Sequence, residues 1–243
     1  MSIVSDVHVA VLAVDGCFDS GLSAVVDVLE TANALRQDVP APPPAFTVTI
    51  VGLTKRVRTG NGLTVDPVPA RRMAQPPDLL VMPALGVKTP DEIIDTVRRH
   101  AALDLIRESR ANGTELAGAC TGTFFLAESG ILDGLLATTS WWLGPAFRAR
   151  YPAVLLDETR IIAQDAQITT AGAAFAHIDL ALSIVQQRSP SLADLTARYL
   201  LIGDPPSQAA FAVPAMLARA VPTMASFEQW FRQRLSEPLQ VSA

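Results

Sequence analysis

Short apolar runs rich in β-branched residues alternate along the chain with stretches whose apolar residues recur every three or four positions. The first run, VHVAVLAV (7–14), stops at Asp15-Gly16, as a buried parallel strand would. Leu22, Val25, Val26, Leu29 and Ala32 then fall at helical spacing, and the proline cluster PAPPPAF (40–46) ends that helix. FTVTIVGL (46–53) predicts a second strand, Asn61-Gly62 a turn, and DLLVMPAL (78–85) a third strand. The spacing predicts a helix across 90–111, with Pro90 in its first turn. TELAGA (114–119) leads into Cys120 as a strand, and TGTFFLAES (121–129) continues as a helix. The stretch 131–172 is mixed: LLATTSWW, AVLLDE, RIIAQDA and QITTAG predict short strands, with one helix near 144–150. AFAHIDLALSIVQQR (174–188) and LADLTARYLLI (192–202) are helices with an apolar face.

Strands alternating with helices predict an α/β fold, a parallel sheet covered by helices on both faces. Residues 1–188 read as one α/β domain, and residues 189–243 as carboxy-terminal helices and a linker. Prolines break DPPSQAAFAVPAMLARAVP (204–222) into an extended, loosely helical arm. Beyond it, Ser226 and Gln229 have capping-box spacing, and Phe227, Trp230, Phe231 and Leu235 share one helical face. So large an apolar face predicts packing on the chain's own body or across a two-fold axis, and a homodimer is expected.

Composition narrows the function. The net charge is −5, so this segment is not expected to grip nucleic acid by itself, because phosphate binding needs a basic face. Two cysteines, Cys17 and Cys120, make no disulfide framework and suit a reducing compartment. The amino terminus lacks the basic region of a signal peptide, and no apolar run reaches the ~18 residues of a membrane helix. A cytoplasmic location without membrane contact is the expectation. No cofactor and no metal are expected, since neither a phosphate-cradling glycine motif nor clustered His/Cys spacing occurs.

The chemistry centres on GACTG (118–122), which has the form of a nucleophile elbow with cysteine at its apex. Glycines on both sides permit a sharp strand-to-helix turn. The turn would lift the Cys120 side chain above the carboxyl end of the sheet, where the positive end of the next helix favours thiolate. A small buried residue at a tight turn would give the same pattern. A cysteine nucleophile also needs a base and an orienting group. Of three histidines, His8 and His100 read as bystanders. His177 opens the helix after the last strand, where it would either reach Cys120 as a base or simply pack. Asp27 and Asp179 read as helix-capping or hydrogen-bonding residues, and Cys17 as a core thiol.

The opening strand, DLLVMPAL, the ACTG elbow, ILDGLLATTSW (131–141) and AGAAFAHIDLALSIV together resemble the ThiJ/PfpI family from about residue 7 to 188. That resemblance implies the class I glutamine amidotransferase-like fold, a flavodoxin-like parallel sheet sandwiched by helices. The branch it is most similar to is the amino-terminal domain of AraC-type (GlxA-like) transcription regulators. RYLLIGDPPSQAAFAVP and FEQWFRQRLSEPLQV are similar to the arm and linker helix of such regulators. The resemblance implies that a helix-turn-helix domain would follow Ala243, so DNA is expected to be met only through a domain absent from this chain.

Three positions depart from the family's catalytic pattern. Where an enzyme of the family has an acid early in the first helix, aligning VVDVL (25–29) places Gly21. Where a Gly-Gly turn helps to form the oxyanion hole, this chain has Ala84-Leu85, and where ATTHW has histidine it has Ser140. The resemblance therefore implies a catalytically degenerate sensor that binds a small-molecule effector and dimerises. Its pocket would be lined by Cys120, Thr121, Leu85, Ser140, Trp141 and His177. The alternative is a cysteine-dependent enzyme, isocyanide hydratase-, amidase- or glyoxalase-like, that uses Cys120. A plain interaction scaffold without a ligand is the third reading.

Overall fold

The computed structural model describes residues 5–87, 89–203 and Trp230. The expectations for the 204–243 arm, including the Ser226–Gln229 box and the face of Phe227, Phe231 and Leu235, lie outside the described residues. Trp230 is helical.

The amino-terminal half runs β1 (Val7–Ala13), α1 (Asp19–Leu35), β2 (Phe46–Gly52), β3 (Val57–Arg58), β4 (Thr64–Val65), β5 (Val68–Pro69) and β6 (Leu79–Met82). Next come α2 (Pro90–Val97), α3 (Ala102–Ala111), β7 (Glu115–Ala119), α4 (Gly122–Glu128), β8 (Leu136–Ala137) and α5 (Gly144–Arg150). The order closes with β9 (Leu155–Leu156), β10 (Ile162–Asp165), β11 (Ile168–Ala171), α6 (Ala176–Arg188) and α7 (Pro190–Tyr199). One seven-stranded sheet has the order β10-β11-β7-β6-β1-β2-β5. Its central strands are parallel, with Val9 opposite both Val48 and Leu79, and Leu80 opposite Leu116. Read by first appearance, the five main strands lie 2-1-3-4-5, the flavodoxin-like order.

Central strands are buried on both faces, so their residues are apolar without alternation: all four residues of β6 are buried, as are six of the seven in β1. Helices α1, α6 and α7 pack together on one face, and α2, α3 and α4 on the other. Phe124 and Phe125 of α4 are fully buried. Phe124 meets Phe147 and Tyr151 edge-on, which fixes α5 and the chain after it.

The structure differs from the sequence reading in three places. The helix expected across 90–111 is two helices, because His100 accepts a hydrogen bond from the Ala102 amide through Nδ1 and starts α3 afresh. Strand β10 pairs antiparallel with β11, across a turn that holds Ala166 and Gln167 at positive φ. Helix α7 starts earlier than expected, because Ser189 caps the Leu192 amide and Pro190 takes the first turn.

Candidate functional site

In an open parallel sheet, ligands collect at the carboxyl ends of the strands, beside the point where strand order reverses. Here that point lies between β1 and β6. A backbone bridge between Cys17 and Leu85 spans it, and Phe18 donates to the Ala84 carbonyl at 2.7 Å. The β3–β4 hairpin closes over it: Gly60 donates to the Cys17 carbonyl at 2.8 Å and Gly16 to the Arg58 carbonyl at 2.8 Å. Cys17 lies at this edge as a fully buried thiol, pushed up by that burial.

Cys120 ends β7 one strand over. Its φ is 55°, the left-handed region a side chain rarely takes, as a nucleophile elbow requires. The strain is held from several sides. The Cys120 amide donates to the Ala171 carbonyl at 2.9 Å, and the Thr139 hydroxyl donates to the Cys120 carbonyl at 2.7 Å. Thr138 joins the same network: its amide donates to Thr170 Oγ1 at 2.8 Å and its hydroxyl to the Arg160 carbonyl at 2.8 Å. Helix α4 can leave the turn steeply because Gly122 passes against the third strand; a Cβ there would lie 2.5 Å from the Met82 carbonyl oxygen.

The elbow is closed. Cys120 is 6% exposed, and its Sγ lies 2.9 Å from Ser140 Oγ, which is fully buried. Burial pushes the Cys120 thiol up from its ordinary value; the smaller opposing pulls come from the Ser140 hydroxyl and from the Thr121 amide and hydroxyl. The thiolate expected from the helix terminus is therefore not favoured here, because desolvation outweighs those hydrogen bonds.

Five of the six expected lining residues converge. Besides the Cys120–Ser140 pair, Thr121 Oγ1 accepts from the Leu85 amide, and both residues are buried. His177, fully buried, donates through Nδ1 to the Ala174 carbonyl and accepts the Ala84 amide at Nε2, 3.2 Å away. These partners fix the neutral tautomer with the proton on Nδ1, and burial pulls the His177 pKa down. Trp141, the sixth, is half-buried and follows Ser140 into a short 3₁₀ turn. A cavity of about 580 Å³ exists in the molecule, but none of these six residues lines it.

The sequence pattern missed what surrounds Gly21. A Cβ on Gly21 would lie 3.0 Å from His177 Nε2 and 3.4 Å from Pro83 Cβ. The histidine ring fills the space where an acid at position 21 would stand. In the preceding residues, Asp19 accepts from Asn61 Nδ2 through one oxygen, while its Oδ1 and the Ser20 hydroxyl are buried without a hydrogen-bond partner. Among the described residues, no group of three or more metal-ligating side chains lies together, and no helix is long and apolar enough to cross a membrane.

A strand-terminal cysteine elbow on a 2-1-3-4-5 sheet defines a class, and the sequence pattern of the DJ-1/PfpI family matches residues 7–187. The chain belongs to the DJ-1/PfpI family. It is 32% identical over 152 residues to the HTH-type transcriptional regulator CdhR of Pseudomonas aeruginosa, a match covering 60% of this chain and 42% of that protein. The chain thus spans less than half the length of this curated relative. Among solved structures, an AraC family transcriptional regulator from Pseudomonas putida superposes with a TM-score of 0.66 at 24% identity, over 80% of this chain and 99% of that one. Drosophila melanogaster DJ-1beta superposes with a TM-score of 0.65 at 18% identity, over 82% of this chain and all of that one.

Proposed function

We propose that this chain is the effector-sensing and dimerising part of an AraC-type transcription regulator, with an elbow that no longer catalyses. One observation carries the loss of catalysis: the amides of Ala84 and Leu85 are spent on His177 Nε2 and Thr121 Oγ1. An oxyanion hole works only when its donors are free to meet developing charge. With Nε2 taken by the Ala84 amide and Nδ1 by the Ala174 carbonyl, His177 has no free nitrogen to act as base, and Gly21 supplies no acid. The regulator role is supported by the similarity to CdhR, a transcriptional regulator by name. DNA is then met through a domain outside this chain, in keeping with the net charge of −5.

The effector is a small molecule admitted beside Cys120, Thr121, Leu85, Ser140, Trp141 and His177. The unpartnered Asp19 Oδ1 and Ser20 hydroxyl are polar groups that such a ligand could satisfy. A second reading, a cysteine-dependent enzyme, is favoured by the strained apex itself, since Cys120 keeps its φ of 55°.

Two measurements on one preparation separate the readings. A thermal-shift screen of small metabolites is expected to find a stabilising ligand; at 100 times its dissociation constant the gain is about 2.7 kcal/mol. Methylglyoxal, isocyanides and amides are expected to show no turnover. Turnover that disappears in Cys120→Ser would sink the sensor reading.

A further inference from the structure

The net charge of −5 is unevenly spread along the chain. Between Leu53 and Arg72 lie Lys55, Arg56, Arg58, Arg71 and Arg72 against a single carboxylate, Asp66, so this stretch carries +4 in an acidic protein. All five cations are exposed. Arg56 bonds Asp66 through Nε at 2.7 Å and Nη2 at 3.1 Å, and among the described residues it is the one cation of the five in an ion pair. Cations elsewhere on the body are mostly held by a carboxylate, as Arg107 is by Asp104, Arg150 by Glu128 and Arg188 by Glu115. Like charges gathered in one place repel one another, which favours an anionic partner.

The fold brings these cations to one corner. Strand β5 runs parallel beside the end of β2, with Gly52 opposite Pro69, so residues 53–56 and 70–72 leave the carboxyl end of that edge side by side. Close packing holds the two strands together there: a Cβ on Gly52 would lie 2.4 Å from Pro67 Cγ. Arg58 follows in β3, on a backbone that is tied down. Its amide donates to Asp15 Oδ1 at 2.9 Å, and its carbonyl accepts from Gly16 at 2.8 Å. The cations therefore stand on a frame fixed before any partner arrives, which lowers the ordering cost of binding.

Residue types decide the kind of partner. The stretch 53–72 holds no aromatic residue, the type that anchors protein interfaces. Four of its five cations are arginines, whose planar fork bonds phosphate through two parallel N–H groups. Thr54 and Thr64, exposed beside them, add hydroxyls of the kind that position a phosphate backbone. We propose that this corner is an accessory DNA-contacting surface, on which Lys55, Arg58, Arg71 and Arg72 meet the phosphates of a duplex without reading its sequence. The inference rests on the regulator reading, in which a DNA-binding domain outside this chain brings the duplex close. A tethered second contact gains from high effective concentration, so it adds affinity even though it is weak alone.

The test titrates the full chain against a fluorescein-labelled duplex of arbitrary sequence, read by anisotropy, at roughly 20 to 200 mM salt. Four phosphate contacts give a log–log salt slope of about −3.6, so a fourfold rise in salt should weaken binding about 150-fold. Arg71→Ala with Arg72→Ala should bring the slope to about −1.8 and weaken low-salt binding at least about tenfold, with melting unchanged. Arg98→Ala with Arg198→Ala removes the same charge from α2 and α7 and should leave the slope as it is. Absence of binding at about 20 mM salt would overturn the proposal. Equal losses in the two double variants would also overturn it, since the effect would then be one of net charge. Poly-glutamate or vesicles rich in anionic lipid that bind more tightly than the duplex at the same salt would give the corner to an acidic protein or a membrane instead. Turnover at Cys120 would sink the sensor reading and leave these titrations as they stand, so the two can fail separately.

Discussion

At the scale of single residues, His177 and Gly21 form a pair whose chemistry is set by contact. The ring is held at both nitrogens by Ala174 and Ala84, so it cannot move aside for a side chain at position 21. Alanine in a helix is favoured over glycine by about 1 kcal/mol, but overpacking a filled site costs about 1–3 kcal/mol. Gly21→Ala is therefore expected to lower stability by about 1 kcal/mol in the native background. In a His177→Ala background the same change should raise it by a similar amount, and a double-mutant cycle in urea reads the coupling directly. Equal effects in both backgrounds would mean the ring does not hold position 21. The histidine also makes stability depend on pH. Its pKa is pulled below the ordinary value by burial, so in acid the unfolded chain binds a proton that the folded chain refuses. Stability should hold above the ordinary histidine range and fall as pH drops below it, by at most about 1.4 kcal/mol per pH unit for one proton. His100, whose pKa burial also pulls down, adds a loss of the same sign. Melting temperatures from pH 7.5 to 5 should thus decline less steeply in His177→Gln than in the native chain. The cysteine was legible in GACTG as the apex of an elbow; its closure was not, because Leu85, Ser140 and His177 come from three segments that only the fold brings to it.

At the scale of elements, the elbow works because α4 crosses β6 at backbone distance. A methyl group on Gly122 would sit 2.5 Å from the Met82 carbonyl oxygen and 3.0 Å from that of Pro83, both backbone atoms with nowhere to go. Gly122→Ala is expected to cost at least about 3 kcal/mol, the upper end for overpacking, and to leave little folded protein. Gly113→Ala, where φ is 84° but space is open, should cost only about 1 kcal/mol of backbone strain and fold normally. Circular dichroism melts of the two variants compare crowding with strain, and similar losses would remove the close-crossing account. The apolar strands and the amphipathic α1 were readable because periodicity survives without tertiary context. The breaks were less so. His100 divides 90–111 through a side-chain cap to Ala102, on a ring that also stacks edge-on against Phe125, 5.2 Å away. Ala166 and Gln167 make a hairpin turn with neither asparagine nor glycine in its two positive-φ places. Asn33 completes the edge of β2 by bonding both the amide and the carbonyl of Phe46 at 2.8 Å, a pairing across 13 residues that no local pattern shows.

At the scale of the molecule, the order 2-1-3-4-5 places β1, β6 and β7 side by side, so that the switch point and the elbow share one edge of the sheet. Helix α6 starts at that edge with Phe175 at its cap, 70% exposed, its ring edge-on to Phe18 at 6.5 Å. Phe175 is a large apolar side chain left exposed at this edge among the described residues. A regulator that reads two DNA half-sites needs a dimer to set their spacing. The two-fold contact is expected on the α/β domain, with Phe175, exposed at the edge that holds the elbow, taking part. The full chain is therefore expected to sediment as a dimer, at twice 25.8 kDa. Burying one phenylalanine contributes roughly 1.5–3 kcal/mol, so Phe175→Glu should weaken dimerisation at least about tenfold. Because the side chain is mostly exposed in the monomer, its replacement should leave the monomer's own fold intact. A native chain that sediments as a monomer at micromolar concentration would remove the dimer. A Phe175→Glu chain that stays dimeric would keep the dimer but move its contact away from the edge that holds the elbow.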